Sequence, residues 1–304
     1  LASSAASDVY KRQAAGCSQQ QSSSNDGNPA DNKLIVGFDN SYPPYGFMDE
    51  NNNPTGFDLD LAQEVANRNG WDIELSAIDW DTKDAQLNQG TINCIWNGFT
   101  MEGREDDYTF SEPYMLNEQV IVVKKDSGIT SLSDLAGKTV VTQADSAALD
   151  VLEGDKKDVA DTFKSLQTLP DYNNAFMQLE SGMVDAVACD LSIAQYQIAA
   201  KPDAYQQLDP LSSEHYAVGF KKGDDALAAK VTSTLKDMYN DGTVEKLIEK
   251  YADYGMSAEN WVLKKENKAS LRSFSASPEA DARAVISTLL GGRLPLPPFV
   301  AFGG

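Results

Sequence analysis

Short apolar runs alternate with segments of helical periodicity between residues 34 and 263, and few folds accept such an alternation. Residues 34–38 (LIVGF) form an apolar run that fits a strand buried on both faces. Residues 57–69 have helical periodicity, and Gly70 follows where a helix C-cap favours a positive φ. The pattern therefore predicts an α/β fold with mostly parallel sheets.

The same two periodicities recur along the chain without an internal repeat. Further strands are predicted over residues 73–78, 93–96, 120–123, 139–142, 184–189 and 217–220. Further helices are predicted over residues 84–88, 147–152, 175–180, 193–199, 225–239 and 243–251.

Charge and composition exclude several classes of function. The formal net charge is −21, which repels phosphate backbones, so we expect no nucleic-acid partner. It also repels an anionic membrane surface, and no apolar run is long enough to span a bilayer, so membrane contact requires an anchor. The scattered Cys17, Cys94 and Cys189 and the single His215 favour no metal site, no cofactor and no histidine-based catalytic triad. Cys94 and Cys189 are expected to be free and buried.

The first 33 residues differ from the rest. Residues 18–32 are rich in Gln, Ser, Asn and Gly and predict a disordered tether. Residues 14–17 (AAGC) precede it and resemble a bacterial lipobox, in which Cys17 would carry a lipid anchor. Residues 1–13 contain no apolar core, so we expect the signal peptide to be missing or replaced. The alternative is an unmodified cysteine in a flexible tail.

The last segment, residues 265–304, loses the acidic excess and turns to Ser, Ala, Arg, Leu and Pro. It does not continue the preceding pattern, and we interpret it as a non-native or poorly folded tail. A short amphipathic helix near residues 280–290 is the alternative.

Residues 35–71 carry a strand that ends in Asp39, an aromatic-proline loop over residues 42–47, and the helix start GFDLDL over residues 56–61. This segment resembles the opening of the polar amino-acid binding proteins of ABC transporters, solute-binding protein family 3. Further segments match that family in order: 92–104, 110–114, 132–141, 183–190 and 216–223. The resemblance covers about residues 34–263.

The resemblance implies a two-lobed periplasmic-binding-protein-like fold, with two doubly wound sheets joined by a two-strand hinge. The crossings should fall near residues 115–119 and 212–217. Lobe 1 would then comprise residues 34–115 plus 216–264, and lobe 2 residues 116–215. Ligand would bind between the lobes, at the carboxyl ends of the strands.

A free amino acid presents a carboxylate and an ammonium, and a dry site must satisfy both charges. The resemblance assigns the carboxylate to Arg104, whose planar fork can bind both oxygens. The Thr100 hydroxyl and the backbone N–H groups of Gly98 and Thr100 can assist. Alternatively, Arg104 forms a surface ion pair with a neighbouring carboxylate, namely Glu105, Asp106 or Asp107.

The resemblance assigns the ammonium to Asp190, at the end of the predicted strand 184–189. From the residues alone, an Asp in this position is as often a helix N-cap. From the second lobe, the backbone N–H groups of Ser146 and Ala147 would suit the carboxylate, as an anion at a helix N-terminus.

The side-chain pocket is expected to include Asp39, Tyr42, Trp80 and Gln143. The two aromatic residues can enclose the aliphatic part of a ligand and add cation–π attraction, although core packing is the alternative for Trp80. A carboxylate at Asp39 disfavours acidic ligands and suits a glutamine-like or basic one.

These residues favour the extracytoplasmic substrate-binding component of an ABC importer. We expect a polar amino acid as ligand, glutamine-like or basic rather than acidic, together with a permease as partner, a monomeric chain and no catalytic residues. The protein would be lipid-anchored to the outer face of the cell membrane or periplasmic. An enzyme of the same fold, such as a dehydratase, and the ligand-sensing domain of a receptor are the alternatives.

Overall fold

The computed structural model describes residues 27–264, and within them strands and helices alternate as the sequence predicts. The strands in chain order are β1 (Lys33–Phe38), β2 (Ser41–Tyr42), β3 (Gly46–Met48), β4 (Pro54–Thr55), β5 (Asp72–Ala77), β6 (Cys94–Ile95), β7 (Tyr108–Phe110), β8 (Met115–Lys124), β9 (Thr139–Gln143), β10 (Ser165–Leu169), β11 (Ala186–Asp190), β12 (Tyr205–Gln207), β13 (Ser212–Tyr216) and β14 (Gly219–Lys221). The helices are α1 (Phe57–Asn69), α2 (Lys83–Gln89), α3 (Ala147–Glu153), α4 (Lys157–Ala160), α5 (Tyr172–Ser181), α6 (Leu191–Ala200), α7 (Asp225–Asn240) and α8 (Thr243–Lys250).

Helix α1 shows how directly the sequence determines local structure. It begins after Gly56 and ends at Gly70, whose φ of 68° is the left-handed conformation predicted for the C-cap. Its apolar face is buried, as the periodicity requires: Leu59, Leu61, Ala62, Val65 and Ala66. The predicted helix and its cap are confirmed.

Two main sheets organise the chain. The first has the strand order β5-β1-β6-β14-β7, and the second has the order β10-β9-β11-β8-β12, with β13 paired to β8. A small third sheet contains β2, β3 and β4. Residues 27–263 belong to one compact unit, and Lys264 belongs to a second unit whose other residues lie outside the described part. The predicted two-lobed α/β fold is confirmed.

The prediction of mostly parallel sheets is wrong, because both sheets are mixed. Parallel pairing joins β1 to β5 and β6, and joins β9 to β10 and β11. Strand β8 instead pairs antiparallel with β11, β12 and β13, and β14 pairs antiparallel with β6 and β7. Periodicity identifies strands but carries no information about the direction of their neighbours.

The two sheets are connected through an antiparallel pair of strands. Met115 pairs with Tyr216 and Gln119 with Ser212, so the first half of β8 runs beside β13. These are the segments expected to cross between the lobes. The remainder of β8 continues into the second sheet, so one uninterrupted strand belongs to both the hinge and the sheet. The lobe limits given above stay predictions.

The last residues of the predicted tether that the structure describes form hydrogen bonds with the rest of the chain. Asn32 donates its side-chain amide to the Gly70 carbonyl (2.8 Å), and Trp71 donates its indole N–H to Asn28 (3.0 Å). Asn28 and Asn32 therefore form hydrogen bonds with the residues that follow the C-terminal end of α1. Residues 1–26, with Cys17, and residues 265–304 lie outside the described part.

The predicted state of two cysteines agrees with the structure. Cys94 and Cys189 are both buried and free. Burial raises the pKa of each thiol, so neither is a reactive thiolate. Within residues 27–264, no helix combines the length and the apolar character that a membrane span requires.

Gly56 offers a test of the packing at the start of α1. Its φ is 141°, and a Cβ there would lie 2.2 Å from the backbone oxygen of Tyr45. We expect Gly56→Ala to lower the free energy of unfolding by about 3 kcal/mol or more, because backbone strain adds to the overlap with Tyr45. Urea denaturation measures the change.

Gly70→Ala is the matched control, because Gly70 also has a positive φ but no atom within 4 Å of the added Cβ. It should lose only the conformational cost of about 1–2 kcal/mol. Equal losses in the two variants would contradict the packing argument.

Candidate functional site

A partly open cavity lies between the two sheets, and its empty space, open solvent included, is about 280 Å³. It is lined by Tyr42, Trp80, Asn97, Gly98, Thr100, Arg104, Gln143, Ser146, Ala147 and Asp190. Apart from Asn97, all of these residues are candidates from the sequence analysis. Asp39 does not line the cavity but contacts Gln143, which does.

The strand ends explain why residues distant in sequence meet here. Gln143 ends β9 and Asp190 ends β11, which are parallel neighbours in the second sheet. From the first sheet, Asp39 follows β1, Trp80 follows β5, and Asn97 follows β6. Because parallel strands end at the same edge, their carboxyl ends place these side chains around one crevice.

Asp190 is a buried carboxylate with several neutral donors. Its Oδ1 accepts hydrogen bonds from Gln119 (2.7 Å), Asn117 (2.9 Å) and the Tyr216 hydroxyl (3.0 Å). Its Oδ2 lies 3.4 Å from the Tyr172 hydroxyl. Burial raises the pKa of Asp190, because no cation balances its charge among the residues that the structure describes.

The alternative role of Asp190 as a helix cap is not adopted. Asp190 does occupy the N-cap position of α6, but its side chain makes no capping hydrogen bond. The carboxylate turns toward the cavity and the hinge instead. A buried anion without a cation is costly, so this position favours a cationic group or a proton supplied from the cavity.

Arg104 lines the same cavity and is held partly by the second lobe. Its Nη2 pairs with Asp150 on α3 at 2.7 Å, and its Nη1 lies 3.4 Å from the Thr100 carbonyl. The guanidinium also lies over the Phe99 ring, 5.2 Å from the centroid. The alternative of a surface ion pair thus has a different partner from the expected neighbours Glu105, Asp106 and Asp107. Asp150 is 60% exposed, so this pair is solvent-screened.

Two donors expected to assist Arg104 are already used. The backbone N–H of Gly98 donates to Asp58 (2.6 Å), and the Thr100 hydroxyl donates to Glu214 (2.7 Å). Both donors satisfy buried carboxylates, so neither is free for a ligand in this arrangement. Gly98 has a φ of 57°, and a Cβ there would lie 2.9 Å from the Tyr42 ring, so glycine is required for the approach.

Glu214 is a second buried carboxylate that sequence reasoning missed. It lies in the hinge strand β13 and accepts hydrogen bonds from Asn117 (2.8 Å) and Gln119 (2.7 Å). These two amides also donate to Asp190, so one set of donors serves both acids. Burial and the nearby charge of Asp190 raise the pKa of Glu214 to about 7. In the sequence it is an ordinary acidic residue within a polar hinge segment, and no pattern marks it.

Asp39 is buried beside the cavity and is bonded across the lobes. Its Oδ2 accepts from the Gln143 side chain (2.6 Å), and its Oδ1 accepts from the Ser41 backbone N–H (2.8 Å). Burial raises the pKa of Asp39, and the negative charges of Asp171 and Asp79 act in the same direction. The electrostatic potential around Gln143 is therefore negative.

Tyrosine rings surround the Asp190 end of the cavity. Tyr42 shares a hydroxyl–hydroxyl hydrogen bond with Tyr216 (2.9 Å), and its ring centroid lies 6.1 Å from that of Tyr172. Such rings can stabilise an ammonium group through their π faces. At the other end, Trp80 packs edge-on against Phe99, 5.7 Å between centroids, while its remaining surface lines the cavity.

Two further features bear on a ligand. Asn97 is buried and neither of its side-chain amide atoms has a hydrogen-bond partner in the described protein, so it can serve a polar ligand group. Ser146 is the N-cap of α3, where its hydroxyl accepts from the Leu149 N–H (3.2 Å). The role expected for the Ser146 and Ala147 N–H groups stays a prediction. Across residues 27–264, no group of His, Cys, Asp and Glu side chains is arranged to hold a metal ion.

Two α/β lobes that share a two-strand hinge and enclose a charged cavity define a solute-binding protein of the periplasmic-binding-protein type. The model of the bacterial extracellular solute-binding proteins, family 3, matches residues 34–254, and the protein belongs to this family. The family resemblance is thereby confirmed.

Relatives with stated ligands cover most of the chain. The L-cystine-binding protein TcyJ of Escherichia coli (strain K12) is 28% identical over 222 residues, 72% of this chain and 82% of that protein. A substrate binding protein of an ABC uptake transporter from Streptococcus pneumoniae, solved with bound histidine, has a TM-score of 0.71 and 33% identity, covering 73% of this chain and 93% of that chain. An ancestral arginine-binding protein bound to glutamine has a TM-score of 0.66 and 34% identity, covering 72% and 97%.

Asp58 allows a test of the charge balance behind the cavity. Burial raises its pKa to about 7, and one of its oxygens has no partner in the described protein. The folded state therefore binds this proton more tightly than the unfolded chain, so the Asp58 contribution to stability is present at low pH and lost as pH rises through about 7. We expect Asp58→Asn to reduce the loss of unfolding free energy between about pH 4 and pH 7, measured by urea denaturation.

The exposed Asp72 on β5 supplies the control, and Asp72→Asn should leave that pH dependence unchanged. An Asp58→Asn profile as steep as that of the parent protein would show that Asp58 is ionised throughout.

Proposed function

We propose that the protein binds a free amino acid between its lobes and delivers it to the permease of an ABC importer. The observation that carries this proposal is that Arg104 and Asp190 line one cavity, with one charge suited to each end of a zwitterion. The ligand ammonium would provide the cation that Asp190 lacks. Its carboxylate would bind the Arg104 fork, assisted by the backbone N–H groups of Ser146 and Ala147.

Closure follows from the division of these groups between the lobes. Arg104 lies between β6 and β7 of the first sheet, whereas Asp190 and Ser146 adjoin strands of the second. A ligand that touches both sets gains binding free energy only in the closed form, so it shifts the population toward closure. The amides of Asn117 and Gln119 donate to both Asp190 and Glu214. The charge that would bind the ligand is thereby connected to the hinge strands β8 and β13.

The cavity favours a glutamine-like or basic side chain over an acidic one. Asp39 and its acidic neighbours make the Gln143 region electronegative, which repels a second carboxylate. Gln143 and Asn97 supply amide groups for a polar side chain. The ligands of the relatives include cystine, histidine and glutamine, so family membership alone does not select among these.

The cellular setting follows from the family and from the N-terminal sequence. Family 3 is described as bacterial and extracellular, which supports an extracytoplasmic location. A lipid on Cys17 would keep a monomeric carrier near its permease without a membrane span, and the polar residues after it would serve as a tether. No cofactor and no catalytic residue enters the proposal.

A thermal-shift screen against the twenty amino acids tests ligand class. A ligand present at about 100 times its Kd stabilises the folded state by about 2.7 kcal/mol. We expect glutamine, arginine, lysine or histidine to raise Tm more than glutamate or aspartate, and Asp39→Asn to narrow that difference. If glutamate or aspartate binds best, Asp39 does not determine selectivity.

Recovery of the ligand after incubation separates binding from catalysis on the same fold. Unchanged ligand with sub-micromolar affinity is the expected result, and mass spectrometry detects any product. Product formation would support the dehydratase-like alternative.

Asp190→Asn tests the ammonium site directly. The variant keeps the size of the side chain but removes its charge, so the ammonium is left unpaired at a cost of about 2–5 kcal/mol in affinity. Isothermal titration calorimetry with the best ligand of the screen gives this value. Glu180→Gln, which removes an exposed carboxylate from α5, should leave Kd unchanged. A loss below tenfold for Asp190→Asn would remove Asp190 from the ligand site.

A further inference from the structure

An ion pair joins the two lobes beside the cavity and belongs to no predicted site residue. Lys83, the first residue of α2, pairs with Asp145, which lies in the turn between β9 and α3. The Lys83 side chain is only 2% exposed, whereas that of Asp145 is 49% exposed. Among residues 27–264, Asp145 supplies the one carboxylate in ion-pair contact with this buried ammonium.

The backbone carbonyl of Asp145 also contacts donors from the lobe that carries Lys83. Its carbonyl accepts from the Trp80 indole N–H (3.2 Å) and lies 3.5 Å from the Arg104 Nη2. Its φ of 57° lies in the left-handed region, which is uncommon for a residue other than glycine. Because Trp80 and Arg104 both line the cavity, a single turn of the second lobe closes against two ligand-facing residues and Lys83 together.

We propose that Lys83 and Asp145 form a closure latch that sets the balance between the open and closed forms, and so scales the affinity for every ligand by a similar factor. This inference rests on the proposed binding of a ligand between the lobes. Neither side chain of the pair lines the cavity, so the latch acts on closure without reading the ligand's side chain.

Unequal burial of the two partners gives the proposal a distinctive signature. Removing the Asp145 charge leaves a buried ammonium without its carboxylate, which strongly penalises the closed form. Removing the Lys83 charge leaves an aspartate that is half in water, which costs much less. Replacing both removes the unpaired charge, and such replacement of a buried pair is often nearly neutral.

The test is a double-mutant cycle with Asp145→Asn, Lys83→Met and the double variant, using the two best amino acids of the thermal-shift screen. We expect Asp145→Asn to raise Kd by about tenfold or more and Lys83→Met to raise it by about threefold. The Kd of the double variant should lie nearer to that of the parent protein than the Kd of Asp145→Asn does. Each factor should be the same for both ligands. Additive losses, losses below twofold, or factors that differ between the ligands would overturn the latch.

A measurement without ligand separates the latch from the proposed function. Spin labels on Gln89→Cys and Glu153→Cys, at exposed ends of α2 and α3 on opposite lobes, report the distance between the lobes. Asp145→Asn should shift this distribution to longer distances. Adding Lys83→Met to the Asp145→Asn variant should reverse part of the shift. An unchanged distribution would overturn the latch even if ligands bind. A shift in a protein that binds no amino acid would retain the latch and reject the proposed function.

Discussion

The buried carboxylate of Asp190 is the group around which the centre of the molecule is arranged. It ends β11 against the hinge, where Asn117 and Gln119 of β8 and Tyr216 of β13 all direct donors toward it. Neutral donors reduce the cost of burying a charge but do not remove it. The donors of the protein therefore leave the charge of Asp190 only partly compensated. In the proposed function, a ligand ammonium would supply the missing cation.

The same donors also serve Glu214, so two buried acids lie close together in the hinge interior. Two acids compete for the amides of Asn117 and Gln119, and the raised pKa of each favours a protonated state over two adjacent charges. A cation brought to Asp190 stabilises its ionised form and so affects the protonation of Glu214. Under the proposed function, ligand binding and the protonation of Glu214 would be coupled through these two amides.

Sequence reasoning predicted the parts of the fold and site that local chemistry determines. The face of α1, its Gly70 cap, and the convergence of Gln143 and Asp190 at strand ends all follow from periodicity or from the resemblance. Strand direction did not follow, because apolar runs look alike in parallel and antiparallel sheets. Edge strands such as β10 were missed because they are half exposed and lack an apolar run.

The unpredicted contacts depend on three-dimensional proximity between residues far apart in sequence. Asp58 takes the Gly98 N–H across 40 positions, and Asp150 reaches Arg104 across 46. A short motif contains neither partner of such a contact. The family resemblance could name the residues around the cavity, but only the packed chain shows which of their donors are already occupied.

Strand β8 is continuous from the hinge into the second sheet, and this continuity has a mechanical consequence. Gln119 holds Asp190 and sits opposite it in the ladder, while Met115 pairs with Tyr216 at the other end of the hinge. A rotation of one lobe would therefore twist the segment that carries the donors to Asp190. In the proposed binding cycle, the peptide units that bend as the lobes close would be the same ones that hold the charge of Asp190.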